Sequence, residues 1–475
     1  MIARHSVIYL LARGLPGIIN FLAIAVYSRI LSPDAYGQYA LAIAAVGLGN
    51  AIIFWWLRLG LIRFFASYVE EREIFFSTLF NLYLILVLSS SLLLLLTYFI
   101  CRSWIETEFL LLIAGLLWIQ AWFEMNLELP RSELKPLLFG AMSMFRSIVS
   151  ILLGVLFVFS GFGAAGVLMG LSIGAFLPSL WVFKRYWLTS KPGYFDANIS
   201  RKLWAYGLPL SAAFALNSVI SSSDRILLGF LINTDAAGLY SAGYDLTGHT
   251  IGILMVIIYL AAYPVVIQSM ENQGRSAAKE RLEENFSLLL FIALPAAAGF
   301  AFLAPNIANV FLGTAFRKLA IELIPLVALA IFISGFKAYH FDIAFQLSCK
   351  THLQILVLFI AAIINIALNL WWIPLYGPIG AAYATIVSFF AGLCMSALWG
   401  RKYFEVPVPS KVVVKILVST VIMVMVIGPL RSWSGGKALF IQVTSGVFVY
   451  GIMALNLDII QIRSRLKKTW TSRNT

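Results

Sequence analysis

Residues 204 to 246 read WAYGLPLSAAFALNSVISSSDRILLGFLINTDAAGLYSAGYDL. The stretch is mostly apolar and long enough to cross a bilayer, yet Asp224 and Arg225 lie well inside it. A charged side chain at the centre of a spanning helix costs about 3 kcal/mol on insertion scales, so such residues normally face protein or water. The pair therefore predicts a functional position within a membrane helix.

The same stretch carries a stripe of polar side chains. Asn217, Ser221, Asp224 and Arg225 recur at positions that share one face of an α-helix. One interpretation is the polar wall of a substrate cavity, with Arg225 facing an anionic group. The alternative is a structural ion pair near the membrane surface, with Arg225 extending outward to water.

The whole chain has the composition of a polytopic membrane protein. Of its 475 residues, 61% are hydrophobic and 12% are charged, against about 25% charged residues in soluble domains, and the mean hydropathy is +0.92. Its net charge of +13 would suggest nucleic acid in a soluble protein, but the basic residues fall mainly in loops. Scattered cysteines and histidines show no disulfide or metal-ligand spacing. We expect an all-α membrane protein without a metal or cofactor.

Apolar runs of about 20 residues predict 14 transmembrane helices, grouped as six, six and two. Two pairs of spans are separated by only a few residues, at 137 to 159 with 163 to 184, and at 353 to 374 with 379 to 399. The predicted domains are an N-terminal lobe at 1–190, a cytoplasmic linker at 191–202, a C-terminal lobe at 203–402, and two extra helices with a basic tail at 403–475.

The distribution of basic residues predicts the orientation. Most of the 34 lysines and arginines fall on the side shared by both termini, which the positive-inside rule makes cytoplasmic. Arg146 and Lys337 lie deep within predicted spans, and the opposite side holds Arg29, Arg102, Arg225, Arg317, Lys318, Arg431 and Lys437. No loop exceeds about 20 residues, which leaves no room for a globular catalytic domain. We therefore expect a protein that is not an enzyme.

Three short motifs recur in the same order in both halves of the chain. Residues 12–16 (ARGLP) match 205–209 (AYGLP), 34–39 (DAYGQY) match 235–240 (DAAGLY), and Gly163-Ala-Ala matches Gly380-Ala-Ala. Both halves begin on the same side, so the repeat is parallel. Such repeats in transporters predict a substrate site between two lobes.

Three phrases resemble the oligosaccharide flippases of the Wzx type: YSRILSPDAYGQYALA at 27–42, residues 205–229, and GPIGAAYATIVS at 377–388. These flippases are polysaccharide-transport members of the multidrug/oligosaccharidyl-lipid/polysaccharide exporter superfamily. The resemblance implies a lipid-linked sugar as substrate and energy from an ion gradient or the membrane potential. In the lipid II flippase of that superfamily a similar Asp-Arg pair lines the central cavity, which implies this role for Asp224 and Arg225.

The candidate site residues fall into three groups. Cationic side chains that would offset phosphate charge are Arg13, Arg58, Arg146, Arg225 and Lys337. Side chains that would orient these or carry a coupling H+ or Na+ are Asp224, Asp245, His249, His340 and Asp342. Polar side chains expected to line the cavity are Asn20, Asn217 and Ser221.

Each candidate has a structural alternative. Arg13 and Arg58 lie near helix ends, where they would serve as positive-inside anchors or extend to water. Asp245 with His249, and His340 with Asp342, would equally form hydrogen bonds between helices. On an α-helix Asp342 points away from Lys337 and His340. A further set, Gln120, Glu124, Glu128 and Arg131, favours an interface network, because carboxylates repel phosphate.

The predicted function is to flip an isoprenoid-pyrophosphate-linked oligosaccharide across the bacterial inner membrane by alternating access. The pathway would be O-antigen, capsule or exopolysaccharide assembly, with the lipid-linked substrate, membrane lipids, a polysaccharide polymerase and a chain-length regulator as partners, and no nucleic acid. One alternative is a multidrug antiporter, which would favour acidic cavity residues. Another is a membrane-embedded polymerase or ligase, which would favour longer extracytoplasmic loops.

Overall fold

The computed structural model describes residues 2–101, 107–188 and 194–461, and the side chains from residue 16 onward within these ranges except at 97, 100 and 101. Every regular element in this part of the chain is a helix, which confirms the all-α class. The side chain of Arg13, all of Arg102, part of the predicted linker and the basic tail from residue 462 lie outside the described residues.

Residues Met1–Gly238 form one compact unit. Its helices are α1 (Ile2–Ile30), α2 (Pro33–Gly49), α3 (Trp55–Phe64), α4 (Arg72–Cys101), α5 (Thr107–Ser132), α6 (Pro136–Phe157), α7 (Gly163–Tyr186) and α8 (Ala197–Leu231).

The second compact unit is Leu239–Thr475. Helix α9 (Thr234–Thr247) begins before its first residue. The remaining helices are α10 (Ile253–Gln273), α11 (Arg275–Phe302), α12 (Ala304–Phe311), α13 (Thr314–Phe336), α14 (Ile343–Leu347), α15 (Thr351–Gly400), α16 (Ser410–Ile427) and α17 (Gly436–Asn456).

Helix α8, which we expected to open the C-terminal lobe, packs inside the first unit against α2 and α3. Glycines explain this packing. A Cβ atom at Gly207 would overlap the carbonyl oxygen of Trp56, and Leu203 lies directly on Gly60. The division between the compact units thus falls after α8 rather than before it. The role of the predicted lobes 1–190 and 203–402 in transport stays a prediction.

Eleven helical segments among the described residues are long and apolar enough to cross a membrane. This confirms a multi-pass membrane protein. Two of them, Pro136–Tyr186 with 51 residues and Thr351–Gly400 with 50, have double length. A straight helix of 50 residues would measure about 75 Å, whereas the hydrocarbon layer is about 30 Å thick. Each therefore holds two membrane-length halves, as the sequence predicted, while the total of 14 spans stays a prediction.

The halves of each double-length segment meet at a glycine with positive φ. Gly163 (φ 52°, ψ −131°) and Gly377 (φ 59°, ψ −141°) adopt almost the same conformation, which residues with a side chain rarely adopt. Three residues later, Gly166 and Gly380 each lie so close to the preceding helix that a Cβ atom would overlap its backbone. The structure therefore pairs Gly163 with Gly377 and Gly166 with Gly380. The sequence match of Gly163 with Gly380 was wrong by three residues.

The repeated motifs at 34–39 and 235–240 contact each other at their glycines. A Cβ atom on Gly37 would overlap the carbonyl oxygen of Thr234, and one on Gly238 would overlap the carbonyl oxygen of Pro33. Beside this crossing, the Thr234 hydroxyl donates a hydrogen bond to the Asp34 carboxylate. The first turns of α2 and α9 thus approach as closely as their backbones allow.

We expect the substitution Gly238→Ala to lower the free energy of unfolding of the purified protein by about 2 kcal/mol, which is the usual effect of forcing extra atoms into a packed site. Gly47→Ala is the matched control, because a Cβ atom at Gly47 meets nothing within 4 Å. That variant should be neutral or slightly stabilised, since alanine favours helix. Thermal unfolding in one detergent compares them, and equal midpoints would refute the glycine contact.

Candidate functional site

Four π-helical turns interrupt the α-helices of the described chain. An extra residue in a π-turn rotates the side chains that follow, and such turns are frequent at functional sites. Two of them contain candidate residues from the sequence analysis: His249 lies in one, and Lys337 and His340 lie in another. The turns are Asn50–Phe54, Val158–Phe162, Gly248–Gly252 and Lys337–Phe341.

The first unit holds a network of charged and amide side chains inside its helices, which we call the arginine–glutamate cluster. It joins the π-turn after α2 and helices α3, α5 and α6. Its members are Asn50, Arg58, Gln120, Glu124, Glu128, Arg131 and Arg146.

Arg58 lies at the centre of this cluster. Its Nε donates to Glu128 Oε1 at 2.7 Å, and its Nη1 lies 3.0 Å from Glu124 Oε2. The guanidinium is also 4.6 Å from the ring centroid of Trp55. Arg131 Nη1 binds the other oxygen of Glu128 at 3.1 Å. The Glu128 side chain is fully buried, so both arginines are needed to offset the loss of its hydration.

Arg146 joins the cluster through a neutral partner. Its Nη2 donates to Gln120 Oε1, and Gln120 Nε2 donates to Glu124 Oε1 at 2.5 Å. The guanidinium lies 4.8 Å from the ring centroid of Phe123. Within the described chain Arg146 forms no ion pair. The cluster contains three arginines and two glutamates, so its formal charge is +1, and the excess cation, Arg131, is 44% exposed.

The sequence predicted the parts of this cluster but not their connection. We expected Gln120, Glu124 and Glu128 to form an interface network, and the structure shows one. We expected Arg58 and Arg146 to bind substrate, and this stays a prediction, but both are hydrogen-bonded to that same network. Periodicity identifies the polar face of a helix, whereas the helix opposite that face is set by the tertiary fold.

The second unit contains a buried ion pair. Lys337 Nζ lies 2.8 Å from Asp342 Oδ2, and the exposed fractions of the two side chains are 5% and 2%. Ser396 Oγ donates to Asp342 Oδ1 at 2.6 Å. The lysine stem passes Gly392, where a Cβ atom would lie 3.2 Å from Lys337 Cε. Lys337 was predicted to bind substrate, and in this structure its charge is offset by Asp342.

The π-turn explains why the expected direction of Asp342 was wrong. On an α-helix, residues five apart point in different directions. Here the amide of Asp342 donates to the carbonyl oxygen of Lys337 at 2.8 Å, and the wider turn brings the two side chains together. His340, in the same turn, is buried, and its Nε2 lies 3.1 Å from the carbonyl oxygen of Pro407.

The stripe predicted on α8 spans a gradient of burial within the first unit. Asp224 is buried, Ser221 and Arg225 are half-buried, and Asn217 is exposed. This gradient is what a polar face produces when one edge lies against neighbouring helices and the other is open. The roles of these residues in orientation or substrate binding stay predictions.

The remaining candidates lie apart from these clusters. Asn20 is exposed on α1, and Asp245 is half-buried on α9. His249 is exposed in the π-turn that follows α9. The structure therefore concentrates the candidate residues at three places: the arginine–glutamate cluster, the Lys337–Asp342 pair and the stripe on α8.

We expect a double-mutant cycle on Lys337 and Asp342 to show strong coupling. Lys337→Met or Asp342→Leu alone should destabilise the protein by about 3–5 kcal/mol, because each leaves one buried charge unpaired. The double variant should recover most of that loss, since apolar pairs replace buried ion pairs well. Ser396→Ala, which removes only a hydrogen bond, should cost about 1 kcal/mol. Chemical denaturation measures all four, and additive losses would contradict the pairing.

Comparisons with known proteins support one family. Residues 2–270 match the model of the family described as "Polysaccharide biosynthesis protein". The chain is 24% identical over 243 residues to "Probable flippase AglR" of Haloferax volcanii, and this match spans 50% of each chain. It is 21% identical over 462 residues to "Probable low-salt glycan biosynthesis flippase Agl15" of the same organism, covering 96% of each chain.

Solved structures show the same fold at low sequence identity. The structure titled "Lipid II flippase MurJ, inward closed conformation" matches with a TM-score of 0.79 and 17% identity, over 95% of this chain and 99% of that chain. An inward-facing multidrug resistance MATE family transporter matches with a TM-score of 0.66 and 14% identity, over 83% of this chain and 97% of that chain. The family match, which covers more than half of the residues, confirms the resemblance seen in the sequence: this chain belongs to the polysaccharide biosynthesis protein family.

Proposed function

We propose that this protein is a flippase that moves a lipid-linked saccharide with a phosphate-containing headgroup from one membrane leaflet to the other. The observation that carries the proposal is the presence of two arginines, Arg58 and Arg146, within membrane-length helices, where the arginine–glutamate cluster holds them in place. Membership of the polysaccharide biosynthesis family and the names of the relatives AglR and Agl15 support it. A sugar headgroup with charged phosphate cannot enter hydrocarbon unaided, because its lost hydration must be replaced.

The arrangement around Arg146 suits the transient binding of phosphate. A guanidinium presents parallel N–H donors that match the oxygens of a phosphate group. Arg146 is held by the neutral amide of Gln120, which is displaced more easily than a carboxylate would be. Arg58, in contrast, is bound by two glutamates and would keep the cluster in place while a headgroup binds and leaves.

Asp224 and Arg225 form the second element of the proposal. Arg225 would bind the headgroup, and the buried Asp224 would hold its orientation, while Asn217 and Ser221 would offer hydrogen bonds to sugar hydroxyl groups. Intramembrane ionisable residues are candidates for such a role because their burial is costly unless function retains them. Alternating access would then release the headgroup on the opposite side.

The finer assignments rest on the sequence resemblance. They are an isoprenoid-pyrophosphate-linked oligosaccharide as substrate, and O-antigen, capsule or exopolysaccharide assembly as the pathway. They also include the bacterial inner membrane, cytoplasmic termini, and a polymerase and chain-length regulator downstream. The relatives AglR and Agl15 come from an archaeon, so the glycan and the membrane are the assignments that a direct test should address first.

We further propose that the Lys337–Asp342 pair couples transport to an ion. A proton arriving at Asp342 would remove its charge and release Lys337, which would then need another anion. The switch would depend on a second arrangement of the surrounding helices, because breaking the pair leaves a buried charge without a partner. His340, Asp245 and His249 are further candidates for carrying the ion.

We expect Arg146→Ala to slow flipping about tenfold to a hundredfold, because a charge-assisted hydrogen bond contributes about 1.5–3 kcal/mol. The assay uses the full chain in proteoliposomes with a fluorescent isoprenoid-pyrophosphate-linked saccharide. Arg201→Ala, which removes an exposed positive charge outside the cluster, is the control and should retain the normal rate. Arg146→Lys should lie between them. A normal rate for Arg146→Ala at equal protein content would refute the proposed role.

Ion coupling has its own test in the same proteoliposomes. An imposed pH gradient should accelerate flipping by the native protein, and Asp342→Asn should abolish that acceleration because the amide carries no exchangeable charge. Ser396→Ala is the control and should remain sensitive to the gradient. Acceleration by a sodium gradient alone, or an unchanged response of Asp342→Asn, would contradict proton coupling through this pair.

A further inference from the structure

A cavity lined by both polar and apolar side chains lies in the second unit, apart from the residues proposed to take part in transport. It has a volume of about 340 Å³ and is bounded by α12, the first turns of α13 and the connection between α16 and α17. The side chains that give it its character are Asn309, Arg317, Arg431, Ser432, Trp433 and Ser434.

The wall of this cavity is held in place by two buried amides. Asn306 Oδ1 accepts from the Gly435 amide at 2.8 Å, and its Nδ2 donates to Gln442 Oε1 at 2.8 Å. Gln442 Nε2 donates to the carbonyl oxygens of Leu430 at 2.6 Å and Trp433 at 3.1 Å. These hydrogen bonds hold the backbone of the segment from 430 to 435 in place. The polar side chains of that segment therefore lie on a preorganised loop.

The two arginines of the cavity are positioned without a carboxylate. Arg317 Nε donates to the carbonyl oxygen of Leu312 at 3.1 Å, so its two terminal nitrogens remain available. The Arg431 guanidinium lies 5.0 Å from the ring centroid of Phe302. Neither arginine forms an ion pair with a described residue, and the described lining contains no acidic side chain. Two cations facing one cavity repel each other unless an anion joins them.

The position of this positive charge is also unusual for a membrane protein. On the predicted topology, Arg317, Lys318, Arg431 and Lys437 account for most of the few basic residues on the side opposite the termini. The positive-inside rule makes basic residues sparse on that side, so topology does not explain the concentration. Trp433, 51% exposed, is typical of the membrane–water interface. On the predicted topology, the cavity would therefore lie at the depth of lipid headgroups.

We propose that this cavity binds the phosphate group of an anionic ligand, with a phospholipid headgroup of the adjacent leaflet as the natural source. Arg317 and Arg431 donate to the phosphate oxygens, and Asn309, Ser432 and Ser434 supply further hydrogen bonds. The bound headgroup links α12 and α13 to the connection between α16 and α17. This site does not depend on the proposed transport function, because it uses none of the same residues.

The test measures lipid retention by the full-length protein with native mass spectrometry, using phosphatidylglycerol and phosphatidylcholine as probes. The native protein should retain phosphatidylglycerol in preference, and R317A/R431A should bind it at least about tenfold more weakly. K318A/K437A is the matched control, since it removes two positive charges from the same side at residues outside the lining. Its retention should be unchanged.

Inorganic phosphate distinguishes the source of the ligand. If phosphate alone raises the melting temperature of the native protein as much as phosphatidylglycerol does, the site is one for free phosphate, and the shared chemistry stands. If R317A/R431A does not fold, R431A serves instead, because that side chain is exposed and its removal leaves the core intact. The proposal would be overturned if K318A/K437A lost as much phosphatidylglycerol binding as R317A/R431A. It would also be overturned if the native protein neither retained phosphatidylglycerol in preference to phosphatidylcholine nor was stabilised by inorganic phosphate.

Discussion

An ionised side chain inside the bilayer needs an opposite charge or a hydrogen-bonding group beside it, and this constraint organises the interior of both units. Arg58 is held between Glu124 and Glu128, and Lys337 is held by Asp342. The ion pairs of Arg58 join α3 to α5 and so fix which helices are neighbours. The ion pair of Lys337 with Asp342 instead joins the two ends of a single π-turn. A helix with only apolar side chains could pack almost equally well against several neighbouring helices. A helix with an arginine in hydrocarbon needs a neighbour that carries a carboxylate or an amide at the same depth.

The same constraint separates what the sequence revealed from what it could not. Hydropathy alone marked the spans, because a bilayer demands about 20 apolar residues in each, and the depth of Arg146 was evident from its distance to the span ends. The partner of Arg146 was not, since Gln120 belongs to another helix and periodicity carries no information about contacts between helices. The pairing of Lys337 with Asp342 needed a π-turn, which leaves no signature in a pattern of period 3.6.

Small residues carried a different kind of information. Two of the recurring glycines, Gly37 and Gly238, contact each other, while the two-lobe repeat that the motifs indicated stays a prediction. A comparison of short motifs could not align the two halves exactly. The match of Gly163-Ala-Ala with Gly380-Ala-Ala does not show whether each glycine forms the turn between spans or packs against the preceding helix. Only backbone angles distinguish the two uses, and they pair Gly163 with Gly377. A glycine in the sequence thus indicates a constrained backbone position, but it does not show whether the constraint is a positive φ angle or a close contact between helices.

The positive-φ glycines have a consequence for how the chain enters the membrane. Because helix resumes directly at Gly163, the two spans of Pro136–Tyr186 share a connection of only a few residues, and the same holds around Gly377 in Thr351–Gly400. A connection this short leaves no room for a loop domain between the two spans of a pair. The two outer ends of each pair therefore face the same side of the membrane, and the orientation of one span fixes that of the other.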